Sequence, residues 1–191
     1  MLPSVKIPRC YKPVEFKGIK SIELHHFADA SVSGYGTASY LRFTDVEDRI
    51  HCSLVMGKSR VAPLKTVTVP RLELTAATLA VKVDKQLREE LQLPLNDVVL
   101  WTDSTVVLRY LRNTTRRFQT FVANRLQLIH DSTTPSQWRH VPTHLNPADL
   151  ASRGIHELGT NRGRQQMRFW FRGPQFLWEE KQVARTTIRF T

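Results

Sequence analysis

The chain has 191 residues, 28 of them Lys or Arg and 17 Asp or Glu, for a formal charge of +11 and a pI near 10.2. That length suits one domain of ordinary size, and the charge favours a polyanionic partner, nucleic acid before membrane, because clustered cations displace counterions from phosphates. No apolar run is long enough to span a bilayer and the first residues lack a signal-peptide segment, which argues against a membrane partner and predicts an intracellular domain in a cytoplasmic particle or nucleus. Cys10 and Cys52 stand in unrelated contexts, so neither a disulfide framework nor a zinc site is expected.

Residues 1–20 contain Pro3, Pro8 and Pro13 and read as an extended lead-in, with the fold starting near Ser21. Three β-type runs follow, Ile22 to Ala30, Tyr35 to Phe43 and Ile50 to Met56, joined by short turns that imply an antiparallel meander. Residues 58–69 read as a basic loop ending at Pro70, a good first-turn residue for a helix. From Arg71, apolar Leu72, Ala76, Leu79, Ala80, Val83 and Leu87 recur at helical spacing and predict the longest helix. Asp97 to Thr102 has the apolar centre of a buried strand, parallel because a helix precedes it. Ser104 to Arg112 and Arg117 to His130 read as helices, Gln137 to Val141 as a fifth strand, and Pro147 to Ser152 as a short helix. The fold class is α/β: a five-stranded mixed sheet, strands 1–3 antiparallel and 4–5 parallel, flanked by helices. Arg162 to Trp178 interleaves Arg with aromatics. It suits base stacking and phosphate pairing or, as the preferred reading, a hydrophobic strap.

Four acidic residues sit against apolar segments: Asp29 in His26-Phe-Ala-Asp-Ala-Ser31, Glu73 in Arg71-Leu-Glu-Leu74, Asp103 in Leu100-Trp-Thr-Asp-Ser104 and Asp149 in Asn146-Pro-Ala-Asp-Leu150. An Asp after a strand is commonly only a turn former or helix cap. Four such carboxylates, however, each need a partner, since desolvating an unpaired one costs several kcal/mol. The topology brings the strand ends and the helix start together. Oxygen-only ligands point to two Mg²⁺ or Mn²⁺ ions, able to activate water on one side of a phosphodiester and stabilise the leaving oxygen on the other. His140 and His144 are four apart, but Pro142 between them argues against a helical zinc pair.

Asp29-Ala-Ser with Gly34-Tyr-Gly-Thr-Ala-Ser-Tyr-Leu-Arg42, Arg71-Leu-Glu-Leu-Thr-Ala-Ala77, Trp101-Thr-Asp-Ser104 and His140-Val-Pro-Thr-His-Leu-Asn-Pro-Ala-Asp-Leu-Ala-Ser-Arg-Gly154 resemble the type 1 ribonuclease H fold. They resemble most closely the ribonuclease H domain of Bel/Pao-type long-terminal-repeat retrotransposon polyproteins. The resemblance implies a domain over 21–154, with 1–20 a linker and 155–191 a basic aromatic tail. It implies cleavage of the RNA strand of RNA/DNA hybrids during reverse transcription, and reverse transcriptase and integrase as polyprotein neighbours. Asp29, Glu73, Asp103 and Asp149 match the family's metal-binding quartet, and His144 its proton-transfer histidine. Thr68 and Arg71 match positions that grip a DNA-strand phosphate, and Asn146 an asparagine near the site. Ala30 departs from the Gly of many relatives, while Val69-Pro70 and Thr105 replace polar groups of the hybrid groove. Two other readings stay open: a non-catalytic nucleic-acid-binding module, and a structural spacer of a polyprotein.

Overall fold

The computed structural model describes residues 10–113, 115, 117–155 and 159–180; readings that fall on 1–9 and 181–191, including the first nine residues of the Pro-rich lead-in, lie outside them. Strands β1 (Ile19–Ala30), β2 (Gly34–Asp45) and β3 (Ile50–Val61) form the antiparallel meander. Helix α1 (Val69–Leu91) crosses the sheet, and β4 (Asp97–Thr102) then pairs in parallel with β1. Helices α2 (Thr105–Arg112) and α3 (Thr120–His130) precede β5 (Trp138–His140), which adds in parallel to β4. The sheet order is β3-β2-β1-β4-β5. This is the mixed five-stranded sheet expected from sequence. Helices α4 (Ala148–Arg153) and α5 (Asn161–Arg172) follow.

Period-two alternation divides the strand residues between two cores. Leu24, Ala28, Leu41, Phe43, Val98 and Leu100 pack with Leu74, Ala77 and Val81 of α1 and with the apolar sides of α2 and α3. On the other face, Phe27, Tyr40, Val99 and Trp101 pack with Ala148 of α4 and with Phe176 and Leu177. Each core holds a buried polar chain. On the α1 side, His26 bonds Ser39 at 2.8 Å and Asp84 at 3.1 Å, and both oxygens of Asp84 accept from Arg88 Nε at 3.0 Å. On the other side, Trp101 Nε1 donates to His25 Nδ1 at 3.1 Å. An indole N–H only donates, so His25 carries its proton on Nε2 and donates it to Glu23 at 3.1 Å. Burial holds the His25 pKa below its ordinary value.

Several boundaries differ from the sequence reading, each for a tertiary reason. β3 continues through Lys58 and Arg60 instead of entering a loop at 58, because β2 keeps pairing with it as far as Gly34↔Val61. The close approach needs glycine: a Cβ at Gly34 would lie 2.7 Å from the Arg60 carbonyl oxygen. β3 is also an edge strand, where charged side chains discourage pairing with another chain. α1 starts two residues before Arg71, which puts Glu73 in its second turn. The packed body begins before Ser21, with Phe16 buried, and continues past Gly154 to Trp178.

The segment read as a tail is a strap. Phe176 and Leu177 fill the second core, Tyr40 Oη donates to the Trp170 carbonyl at 2.7 Å, and the Trp170 ring lies over Gly57. Arg42 clamps the strap by donating from Nε to the Leu177 carbonyl at 2.8 Å and from Nη2 to the Glu179 carbonyl at 2.9 Å. Its Nη1 donates to Glu23 at 3.2 Å. The aromatics are thus used inwardly, as the preferred reading expected.

Candidate active site

The parallel register builds the site. Ala28 pairs with Thr102, so the next residues along, Asp29 and Asp103, stand beside each other at the carboxyl ends of adjacent strands. This is the crevice where the connections diverge, one from β1 into the meander and one from β4 into α2. Glu73 approaches from α1, where its Oε2 accepts from Ser104 Oγ at 2.5 Å. Ser104 is also the N-cap of α2, accepting from the Val107 amide at 3.2 Å, so one side chain ties Glu73 to the end of β4. Asp149 comes from the first turn of α4, which packs across β1 and β2.

These carboxylates feel one another. Asp29 is 5% exposed. Burial first, then the charges of Asp103 and Asp149, raise its pKa to about 7, against the opposing hydrogen bond from Ser152. Burial, with a smaller push from Asp103, raises Glu73. Asp103 is the charge common to both. Arg153 is the cation paired with the group, its Nε donating to Asp149 at 2.6 Å.

The raised Asp29 pKa has a thermodynamic sign. A folded-state value of about 7 against an ordinary 3.8 means the folded chain binds the proton more tightly, so stability falls as pH rises from about 4 to about 7 and stays lower above. The metal-free domain is expected to be a few kcal/mol less stable at pH 8 than that group alone would make it at pH 5. Thermal unfolding of wild type and Asp29→Asn across this range tests it: the two curves should converge in acid and separate at neutral pH, with the variant higher.

Asn146, expected among nucleic-acid contacts, is buried beside the carboxylates. It is 1% exposed, and its Nδ2 donates to the Ala28 carbonyl at 3.0 Å and to Asp103 Oδ1 at 3.4 Å. Its Oδ1 accepts from the Ala148 amide at 3.1 Å, so it fastens the start of α4 to the ends of β1 and β4. His144 is exposed on the 3₁₀ turn Thr143–Leu145, ahead of α4. Thr68, the N-cap residue of α1, and Arg71 are exposed where α1 meets α3. Arg71 Nη2 donates to Gln119 at 3.0 Å and its guanidinium lies 5.2 Å from the Phe121 ring centroid. Sequence reasoning missed Ser152, which donates to Asp29 and whose carbonyl accepts from Ser31 Oγ at 2.9 Å. It missed Ser104 and Arg153 as well. Their only signal was position, three and four residues after Asp149 and one after Asp103.

Among the described residues, no three acidic, His or Cys side chains stand as a ready-made metal-ligand group. The donor set nevertheless fits a hard divalent cation in kind: oxygen-only carboxylates, mutually repelling, at the end of a sheet. Asp29 and Asp149 are engaged by Ser152 and Arg153 from the same turn of α4.

A family model, Pao retrotransposon-like RNaseH-like domain, matches residues 2–104, more than half of the chain. The chain belongs to the Pao retrotransposon RNase H-like family. The matched stretch includes Asp29, Glu73 and Asp103, while Asp149 lies beyond it. The strand order of this RNase H-like domain agrees with that membership. Similar solved structures include RNase H1 from Halobacterium salinarum, 15% identical, covering 69% of this chain and 94% of its own, with a TM-score of 0.44. The N-terminal RNase H domain of a Mycobacterium tuberculosis protein, as a maltose-binding-protein fusion, is 11% identical over 77% of this chain and 99% of its own, with a TM-score of 0.46. LC11-RNase H1 in complex with an RNA/DNA hybrid is 13% identical over 69% and 93%, with a TM-score of 0.42. No curated protein matches the chain.

Proposed function

We propose that this domain is a metal-dependent endonuclease that hydrolyses the RNA strand of RNA/DNA hybrids during retrotransposon reverse transcription, as part of a polyprotein with reverse transcriptase and integrase neighbours. The observation that carries the reading is the meeting of Asp29, Glu73, Asp103 and Asp149 at one end of β1 and β4, with burial first and then like charge raising Asp29 and Glu73. Family membership supports it.

Asp29, Glu73, Asp103 and Asp149 would hold two Mg²⁺ or Mn²⁺ ions. Such ions supply Lewis acidity, neutralising the phosphodiester and acidifying water for attack at phosphorus. The chain's own residues do the rest. Asn146 keeps Asp103 and the start of α4 in place. Ser104 orients Glu73. Ser152 and Arg153 hold Asp29 and Asp149, the carboxylates that would take cations. Exposed His144 carries a proton toward the leaving oxygen, a role suited to an imidazole. Thr68 and Arg71, at the α1–α3 junction, grip a phosphate of the DNA strand.

A second reading has its own support. With Ser152 and Arg153 already occupying two carboxylates, the domain is a hybrid-binding module without turnover. Incubation with an end-labelled RNA/DNA hybrid in Mg²⁺, in Mn²⁺ and in chelator separates the two. Metal-dependent RNA fragments are expected; hybrid bound but uncut in both ions would leave only the module.

A further inference from the structure

Helix α5 reads Asn161-Arg-Gly-Arg-Gln-Gln-Met-Arg-Phe-Trp-Phe-Arg172, with four arginines and no acidic residue. Arg164, Arg168 and Arg172 follow at i, i+4 and i+8, so they share one face and span about 12 Å. All three are exposed, and none meets a carboxylate among the described residues: Arg164 donates to Asn161 at 2.7 Å, and Arg172 lies 4.8 Å from the Trp178 ring centroid. Like charges at i,i+4 destabilise a helix. The solvated face of α1, by contrast, mixes Lys85 and Arg88 with Glu89 and Glu90. The opposite face of α5 is spent on docking, through Trp170 and Met167.

Cations also line grooves elsewhere on this side of the domain. A groove of 490 Å³ between α4 and α5 is lined by Lys58, Leu150, Ala151, Met167 and Trp170. Lys58 also lines a second groove, of 580 Å³, with Arg60, Lys82 and Arg125. Lys58 thus stands between the two grooves on the β3 edge, and the first of them meets α5 on its docking face, through Met167 and Trp170, beside the helix that carries Asp149.

We infer that the outer face of α5 is a second contact surface for the nucleic-acid backbone, binding phosphates through Arg164, Arg168 and Arg172. Two observations favour phosphates: the spacing, since about 12 Å of helix matches three to four phosphates of one strand at about 3.4 Å of axis each, and the makeup of the helix, four arginines with no acidic residue to neutralise them. The inference rests on the nuclease reading only for choosing nucleic acid as the polyanion.

Anisotropy of a fluorescein-labelled RNA/DNA hybrid in chelator, titrated with the full chain across about 50 to 200 mM salt, tests it. The Arg164→Gln/Arg168→Gln/Arg172→Gln variant is expected to bind at least about tenfold more weakly at low salt and to lower the log–log salt slope by about two to three. The matching Arg→Lys variant should keep the slope, since charge and not fork geometry is read here. Should the triple variant fail to fold, Arg168→Gln alone answers, with a slope change of about one. An unchanged slope in a folded variant overturns the inference, as does equal competition by poly-glutamate, which would make the surface a site for acidic protein. Cleavage reports separately. Metal-dependent fragments with an unchanged slope leave the nuclease and remove the α5 surface; a lost slope without fragments does the reverse.

Discussion

Asp103→Asn is expected to reduce metal-dependent hybrid cleavage by about three orders of magnitude, the scale of losing a transition-state charge contact, while leaving the metal-free fold as stable as the parent or more so. The two halves come from one fact. Asp103 is the shared neighbour, its charge raising both Asp29 and Glu73. Replacing a half-buried carboxylate by its near-isosteric amide removes that repulsion and leaves no cavity. Two measurements on one preparation check this: fragment yield in Mg²⁺, and the unfolding midpoint in chelator. Lost activity with a lowered midpoint would point to simple misfolding. Retained activity would remove Asp103 from the chemistry and with it the proposed quartet.

Arg42→Ala is expected to lower stability by about 3–5 kcal/mol, the range for breaking a buried ion pair and stranding its partners. Arg42 is 4% exposed and serves Glu23, Thr44 and the carbonyls of Leu177 and Glu179 at once. Without it, the Glu23 carboxylate loses its guanidinium partner, and Cys52 remains as a weak donor to the Leu177 carbonyl, at 3.3 Å. For a chain of this length such a loss corresponds to a midpoint drop on the order of 10 °C. Protease cleavage near Gly173 should accelerate with it, since the clamp holds the strap that closes the second core. A drop of only a degree or two would mean that Phe176, Leu177 and Trp170 hold the strap by burial alone.

Much of this was legible because it is written locally. Strand alternation, the helical spacing from Leu72 to Leu87 and the turn between β1 and β2 need only neighbouring residues, and the sheet's mixed topology follows from a helix standing between the meander and the fourth strand. The acidic quartet stood out because each member interrupts apolar sequence, and the geometry brings Asp29 and Asp103 side by side through a register that the strand lengths imply. The tertiary structure decided what depends on partners far along the chain. Asn146 reads as a turn former or a ligand contact until its amide meets the Ala28 carbonyl, 118 positions away, and becomes buried. Ser152 and Arg153 look like the polar end of a short helix until α4 docks and sets them on Asp29 and Asp149. The aromatics of 162–178 suit bases or a core equally well by composition, and only the apolar face left open by Phe27, Tyr40 and Trp101 selects the core, because that surface must be covered and these side chains cover it. Burying them also turns the arginines outward, so the charge that sequence reports as a total becomes a surface only when the strap packs.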